Sequence, residues 1–161
     1  MPILDGYSDV LVVQRILMSG CIPAGIEWML RYLKIPNINF EGFQERHDLG
    51  NCNSFWSVAK HVMSEIAGIK IIDRQFSYGK EKIEYIGQLI KESRPCLMSI
   101  ALLSSGRWHI VPVVEVNGTF ITVLWMDKPT IEEQKKKFTL VDIEQRHDSW
   151  KGGKDILFTE V

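Results

Sequence analysis

Three residues far apart in this 161-residue chain have the types that thiol-based acyl transfer needs: Cys21, His109 and Asp127. A thiolate attacks a carbonyl, an imidazole moves the proton, and a carboxylate orients that imidazole and stabilises its charged form. Cys21 follows Ser19-Gly20 and opens a helical pattern, where free backbone N–H groups and the helix dipole favour a thiolate. A lone cysteine before a helix is more often a small buried hydrophobe. Here Gly20, Ala24 and Gly25 leave room for a substrate backbone, and the helix start supplies N–H donors for an oxyanion. His109 opens an apolar run just past Ser104-Ser105-Gly106-Arg107-Trp108, whereas His47 sits in a polar loop, His61 mid-helix and His147 in a late polar helix. Asp127 follows Leu124-Trp125-Met126 and precedes Lys128-Pro129, a place where an Asp is usually a cap or turn residue. His47 and Cys52 lie five positions apart with no second pair, so neither a metal nor another cofactor is implied.

The elements that must position these groups follow from periodicity. From Ile22, the residues Ile26, Met29, Leu30 and Leu33 mark one helical face, and Ile35-Pro36 ends it. Residues 37–52 read as a loop. Asn53 or Ser54 caps a second helix carrying Phe55, Val58, Ala59, Val62 and Ile66, which Gly68 stops. A strand is predicted from Ile69 to Phe76 and a third helix over roughly 80–93. Three β-rich runs follow, Cys96–Leu103, Trp108–Val116 and Thr119–Met126, then a linker. A short helix over Val141–Trp150, a stop at Lys151-Gly152-Gly153 and a last strand from Asp155 close the chain. Helices in the first half and antiparallel strands in the second make an α+β domain, with N-terminal helices packed on a C-terminal sheet, spanning 1–161 as one unit.

Hairpin register decides whether Asp127 can serve His109. A two-residue Asn117-Gly118 turn would put the two on opposite faces. A three-residue loop with Gly118 left-handed, or a bulge of equal effect, would put them on the same face. The second arrangement is expected.

Composition narrows the function classes. Apolar residues make up 45%, charged residues 24%, and the net charge is −1, which gives no sign of nucleic-acid binding. The run Gln134-Lys135-Lys136-Lys137 reads as a solvated loop or strand end. Three cysteines form no disulfide framework, Met1-Pro2-Ile3-Leu4-Asp5-Gly6 has no signal-peptide character, and no apolar stretch reaches the ~20 residues of a membrane span. A cytoplasmic location that keeps Cys21 reduced is expected.

The motifs together resemble a known family. Cys21-Ile22-Pro23-Ala24 is similar to the Cys-Gly-Pro-Ala nucleophile motif of the papain-like, bacteriocin-processing peptidases that cleave after double-glycine leaders. Trp108-His109-Ile110-Val111-Pro112-Val113-Val114 resembles their His strand, Asn117-Gly118 the hairpin tip, and Met126-Asp127-Lys128-Pro129 the Asp ending. Arg94-Pro95-Cys96 resembles the preceding strand, and Phe138 to Gly153 the closing segment. The resemblance runs from about residue 14 to the end. It implies a papain-like fold and a cysteine peptidase acting on a peptide or protein through Cys21, His109 and Asp127. It also implies an oxyanion donor at Gln14; independently of the resemblance, Gly20 is a candidate substrate contact for its small size, and Trp108 and Trp56 are candidates to line a cleft, although core packing is the commoner role for each. Two positions depart from the pattern: Ile22 stands where the family has Gly, and Gln14 lies seven residues before Cys21 rather than six, with Arg15 in the usual place. An amidase or acyltransferase with the same triad, or a catalytically impaired peptide-binding domain, are the alternatives. Substrate sequence and oligomeric state are not encoded in any motif.

Overall fold

Every residue of the first helix, α1 (Cys21–Tyr32), is buried from Cys21 to Leu30, so the nucleophile candidate begins the central helix of the core. The computed structural model describes residues 3–16, 20–50, 55–102, 107–149 and 154–160. Burial of α1 extends to Glu27, whose carboxylate would be costly to desolvate alone. Arg31 at 2.8 Å and the Gln44 amide at 3.2 Å compensate it. The predicted loop 37–52 contains a short helix, α2 (Phe43–Arg46), because fully buried Phe43 anchors it and Gly42 enters it in the left-handed region. Then come α3 (Phe55–Glu65), β1 (Ile71–Gln75), α4 (Gly79–Lys91), β2 (Cys96–Leu102), β3 (Arg107–Val116) and β4 (Phe120–Leu124). The chain continues through α5 (Ile131–Gln134), β5 (Lys135–Thr139), α6 (Leu140–Ser149) and β6 (Asp155–Thr159). The expected helix stop at Gly152-Gly153 lies outside the described residues.

The strands form one six-stranded antiparallel sheet in the order β1-β6-β2-β3-β4-β5. Helices α1 and α3 pack against one face, with Gly25 of α1 seated on Leu97 of β2; α4 and α6 pack against the other, with Gly87 of α4 over Val116. The α+β expectation of helices on an antiparallel sheet therefore holds. The linker expectation does not, because residues 135–139 form an edge strand paired with β4. Three consecutive lysines carry little strand propensity, and it is pairing with β4 that makes them a strand; on an edge, lysines also discourage further pairing.

The β3–β4 hairpin matches neither loop considered from sequence. Val116 pairs with Ile121 and Glu115 with Thr122, so the tip is Gly118-Thr119. The Asn117 N–H donates to the Phe120 carbonyl at 3.0 Å, and its Oδ1 accepts from the N–H groups of Thr119 and Phe120. That side-chain turn closes the loop without a left-handed Gly118. The register then shifts between Val113 and Glu115, and Val113 pairs with Val123. Without this bulge at Val114, continuing the tip register would place Asp127 opposite Ile110. With it, the register of the last pair, Val113 with Val123, points Asp127 toward His109 beyond the end of β4. The bulge has the face-swapping effect that the sequence argument required. The N-terminal segment pins it: the Leu4 N–H donates to the Val114 carbonyl at 2.8 Å, and Ile3 bridges Glu115.

Candidate active site

The segment leading to Cys21 is held by two buried glutamines that gave no signal in the sequence. Gln44 accepts from the Arg15 N–H at 2.9 Å and donates to the Val13 carbonyl at 2.9 Å. Gln134 donates to the carbonyls of Val12 and Lys128, both at 2.9 Å. Their carboxamides thereby satisfy a stretch of backbone that belongs to no strand. The Gln14 N–H completes the run by donating to the Met126 carbonyl at 2.8 Å, one residue before Asp127.

At the end of this segment the Ile16 carbonyl accepts from both the Gln14 side chain at 2.8 Å and the Gly20 N–H at 3.1 Å. A Cβ at Gly20 would lie 2.1 Å from that carbonyl oxygen. The absence of a side chain at Gly20 thus admits the chain's own backbone, and buried Gly20 is not an open platform for substrate. The Gln14 amide nitrogen is tied to Ile16, and its Oε1 is buried without a partner. Ile22, in place of the family's Gly, is buried in the core. Trp108 is half-buried against the core, opposite Ala101 of β2.

Cys21 is 8% exposed. Burial pushes its thiol above the ordinary cysteine value, against the opposing pull of three backbone N–H groups, those of Ile110, Cys21 and Ile22. The thiolate expected from the helix start alone is therefore corrected: desolvation outweighs the donors. The contact with Ile110 locates the sulfur. Strand β4 ends at Leu124, short of the positions that would face Ile110, and this leaves the β3 amide open to the sulfur.

His109, the residue before Ile110, is half-buried, and its ring packs on Trp125 with centroids 4.8 Å apart at 41°. Burial pushes its imidazole down to about 4; Asp127 opposes that shift and Lys136 reinforces it. Asp127 is exposed and acts on the ring through space. No hydrogen bond joins His109 to Cys21 or to Asp127 among the described residues; burial favours the neutral thiol at the start of α1 and the neutral imidazole on β3. Trp125 and Lys136 were missed from sequence. The available signal was the alternation that puts Trp125 on the same side as Asp127, two residues on.

Among the described residues, Cys21 and Cys96 are free thiols, no three His, Cys, Asp or Glu side chains group as metal ligands, and no helix is long and apolar enough to cross a membrane.

No family profile and no curated protein sequence matches the chain. Solved structures do. A Bacillus anthracis protein described as a C39-like peptidase superposes with a TM-score of 0.68 at 13% identity, over 100% of this chain and 98% of that one. A double-glycine motif protease from an AMS/PCAT transporter, solved in complex with the leader peptide, gives 0.60 at 15% identity, over 99% and 98%. From end to end, this chain has the fold of the C39-like, double-glycine peptidases.

Proposed function

We propose that the protein is a cysteine peptidase-like thiol hydrolase that cleaves a peptide or amide bond through an acyl-enzyme on Cys21. One observation carries this reading: the Cys21 sulfur and the Asp127 carboxylate both address the dipeptide His109-Ile110 of β3. In the proposed reaction His109 takes the thiol proton as the sulfur adds to the carbonyl carbon. The carbonyl π electrons become an oxyanion held by the backbone N–H groups at the start of α1. Collapse expels the amine, which leaves with the proton from His109, and water then releases the acid and frees the thiol. Asp127 offsets the imidazolium charge. The low proton affinity of His109 and the raised thiol make thiol and imidazole the resting pair.

Gln14 donates one amide N–H to the Ile16 carbonyl, so its carboxamide is held by its own segment. Loss of a side-chain oxyanion donor costs about 3 kcal/mol of transition-state stabilisation, on the order of a hundredfold or more in rate. That observation supports a second reading, a peptide-binding domain with impaired chemistry. Peptide binding itself is supported by the leader-peptide complex of the structural neighbour.

Mixed synthetic peptides incubated with the protein and with Cys21→Ala separate the readings. A hydrolase releases fragments and shows a mass adduct on the Cys21 peptide, both abolished in the variant. Peptide capture by both proteins with no fragment and no adduct would sink the hydrolase reading and leave the binding domain.

A further inference from the structure

We infer that Lys136 makes the site selective for a substrate bearing a carboxylate, either an acidic side chain or a peptide C-terminus, beside the bond that Cys21 attacks. This rests on the thiol-hydrolase reading above. Pairing with β4 sets Lys136 opposite Val123, and alternation along β5 puts it on the same side as Phe138. Its ammonium lies 4.2 Å from the Trp125 ring centroid and 5.4 Å from that of Phe138. Trp125 in turn packs on His109, and the Lys136 charge is felt at the imidazole. An aromatic ring therefore holds a cation next to the proposed base.

The neighbouring lysines differ. Lys135 reaches Glu132 at 3.6 Å and, like Lys137, alternates to the other side of β5. They suffice to guard an edge strand. Lys136 is exposed and, among the described residues, has no carboxylate oxygen within salt-bridge distance, 4.0 Å. Alternation along β3 also brings exposed Arg107 to the side of His109. Lys136 and Asp127 are the two charges felt at the imidazole. An ammonium positioned by its ring contact and lacking a carboxylate favours an incoming one through charge-assisted hydrogen bonds. A neutral isostere in the substrate gains nothing comparable.

The experiment compares alkylation of Cys21 by iodoacetate, an anion, with alkylation by neutral iodoacetamide, at about pH 9.5, chosen because burial raises the thiol while an ordinary lysine, at about 10.4, is still charged. Rates are read by peptide-mapping mass spectrometry and referred to the urea-unfolded chain. The iodoacetate-to-iodoacetamide ratio should be about tenfold higher in the native protein than in Lys136→Glu, with Lys136→Gln between, and should collapse in about 0.5 M NaCl. Equal ratios in the native protein and Lys136→Glu overturn the proposal. Fluorogenic peptides with Glu or Gln beside the scissile bond, and with free or amidated termini, then name the source of the carboxylate. If every peptide is cut equally, selectivity is refuted. If none is cut, the hydrolase reading fails, while the alkylation ratio still decides whether Lys136 recruits anions. If Cys21 resists both reagents, the peptide comparison decides.

Discussion

Acidification should weaken the fold through His109, by an amount that follows from its surroundings. Its imidazole binds a proton only near pH 4 in the folded chain, against about 6.5 when unfolded. Between those values the unfolded state holds a proton that the folded state refuses, so the His109 contribution is fully present above about pH 6.5. It is lost progressively as pH falls toward 4. The difference is roughly 2.5 pH units, or ~3 kcal/mol. Urea unfolding of the native protein and of His109→Gln between about pH 7.5 and 4, followed by tryptophan fluorescence, isolates it. The substitution should become about 3 kcal/mol less harmful, or correspondingly more favourable, at the acid end. Asp73, whose carboxyl is raised to about 7 by burial and by Asp155, has the opposite dependence: its contribution is present at low pH and declines as pH rises toward 7. It is common to both proteins and cancels in the comparison. NMR of the His109 ring gives the midpoint directly. Asp127→Asn should move it lower and Lys136→Met higher. A midpoint at or above 6, with parallel stability curves, would refute the argument that burial dominates this residue.

Three other outcomes follow. Deleting Val114 removes the extra residue but leaves Val113 opposite Val123 and Glu115 opposite Thr122, so NMR should show that Asp127→Asn still lowers the His109 midpoint, and loss of that effect would disprove the register argument. Gln44→Met breaks bonds to Arg15, Val13 and Glu27, leaves buried backbone groups unpaired and should destabilise by about 2–4 kcal/mol in urea melts; a loss under 1 kcal/mol would mean the segment is held elsewhere. Iodoacetamide labelling of Cys21 in the absence of substrate should rise with pH to beyond the ordinary cysteine range, and a plateau already present below pH 7 would contradict the buried, neutral thiol.

Much of this protein is local and therefore readable from sequence. The helix opening at Cys21 is set by the spacing of Ile22, Ile26, Met29 and Leu30, and β3 by a run of β-branched residues bounded by turn residues. Those patterns sufficed for the α+β class and for the order of Cys21, His109 and Asp127. What they could not supply is whatever depends on residues distant in sequence. β5 exists because β4 offers a ladder to three lysines. The bulge that turns Asp127 to the side of His109 depends on Leu4 meeting Val114, 110 positions away. The charge state of Cys21 reverses for a similar reason: helix-start donors are a local feature, but the desolvation that outweighs them comes from tertiary packing. So the residue types able to do the chemistry are written in the sequence, whereas their faces, protonation and distances are decided by long-range contacts.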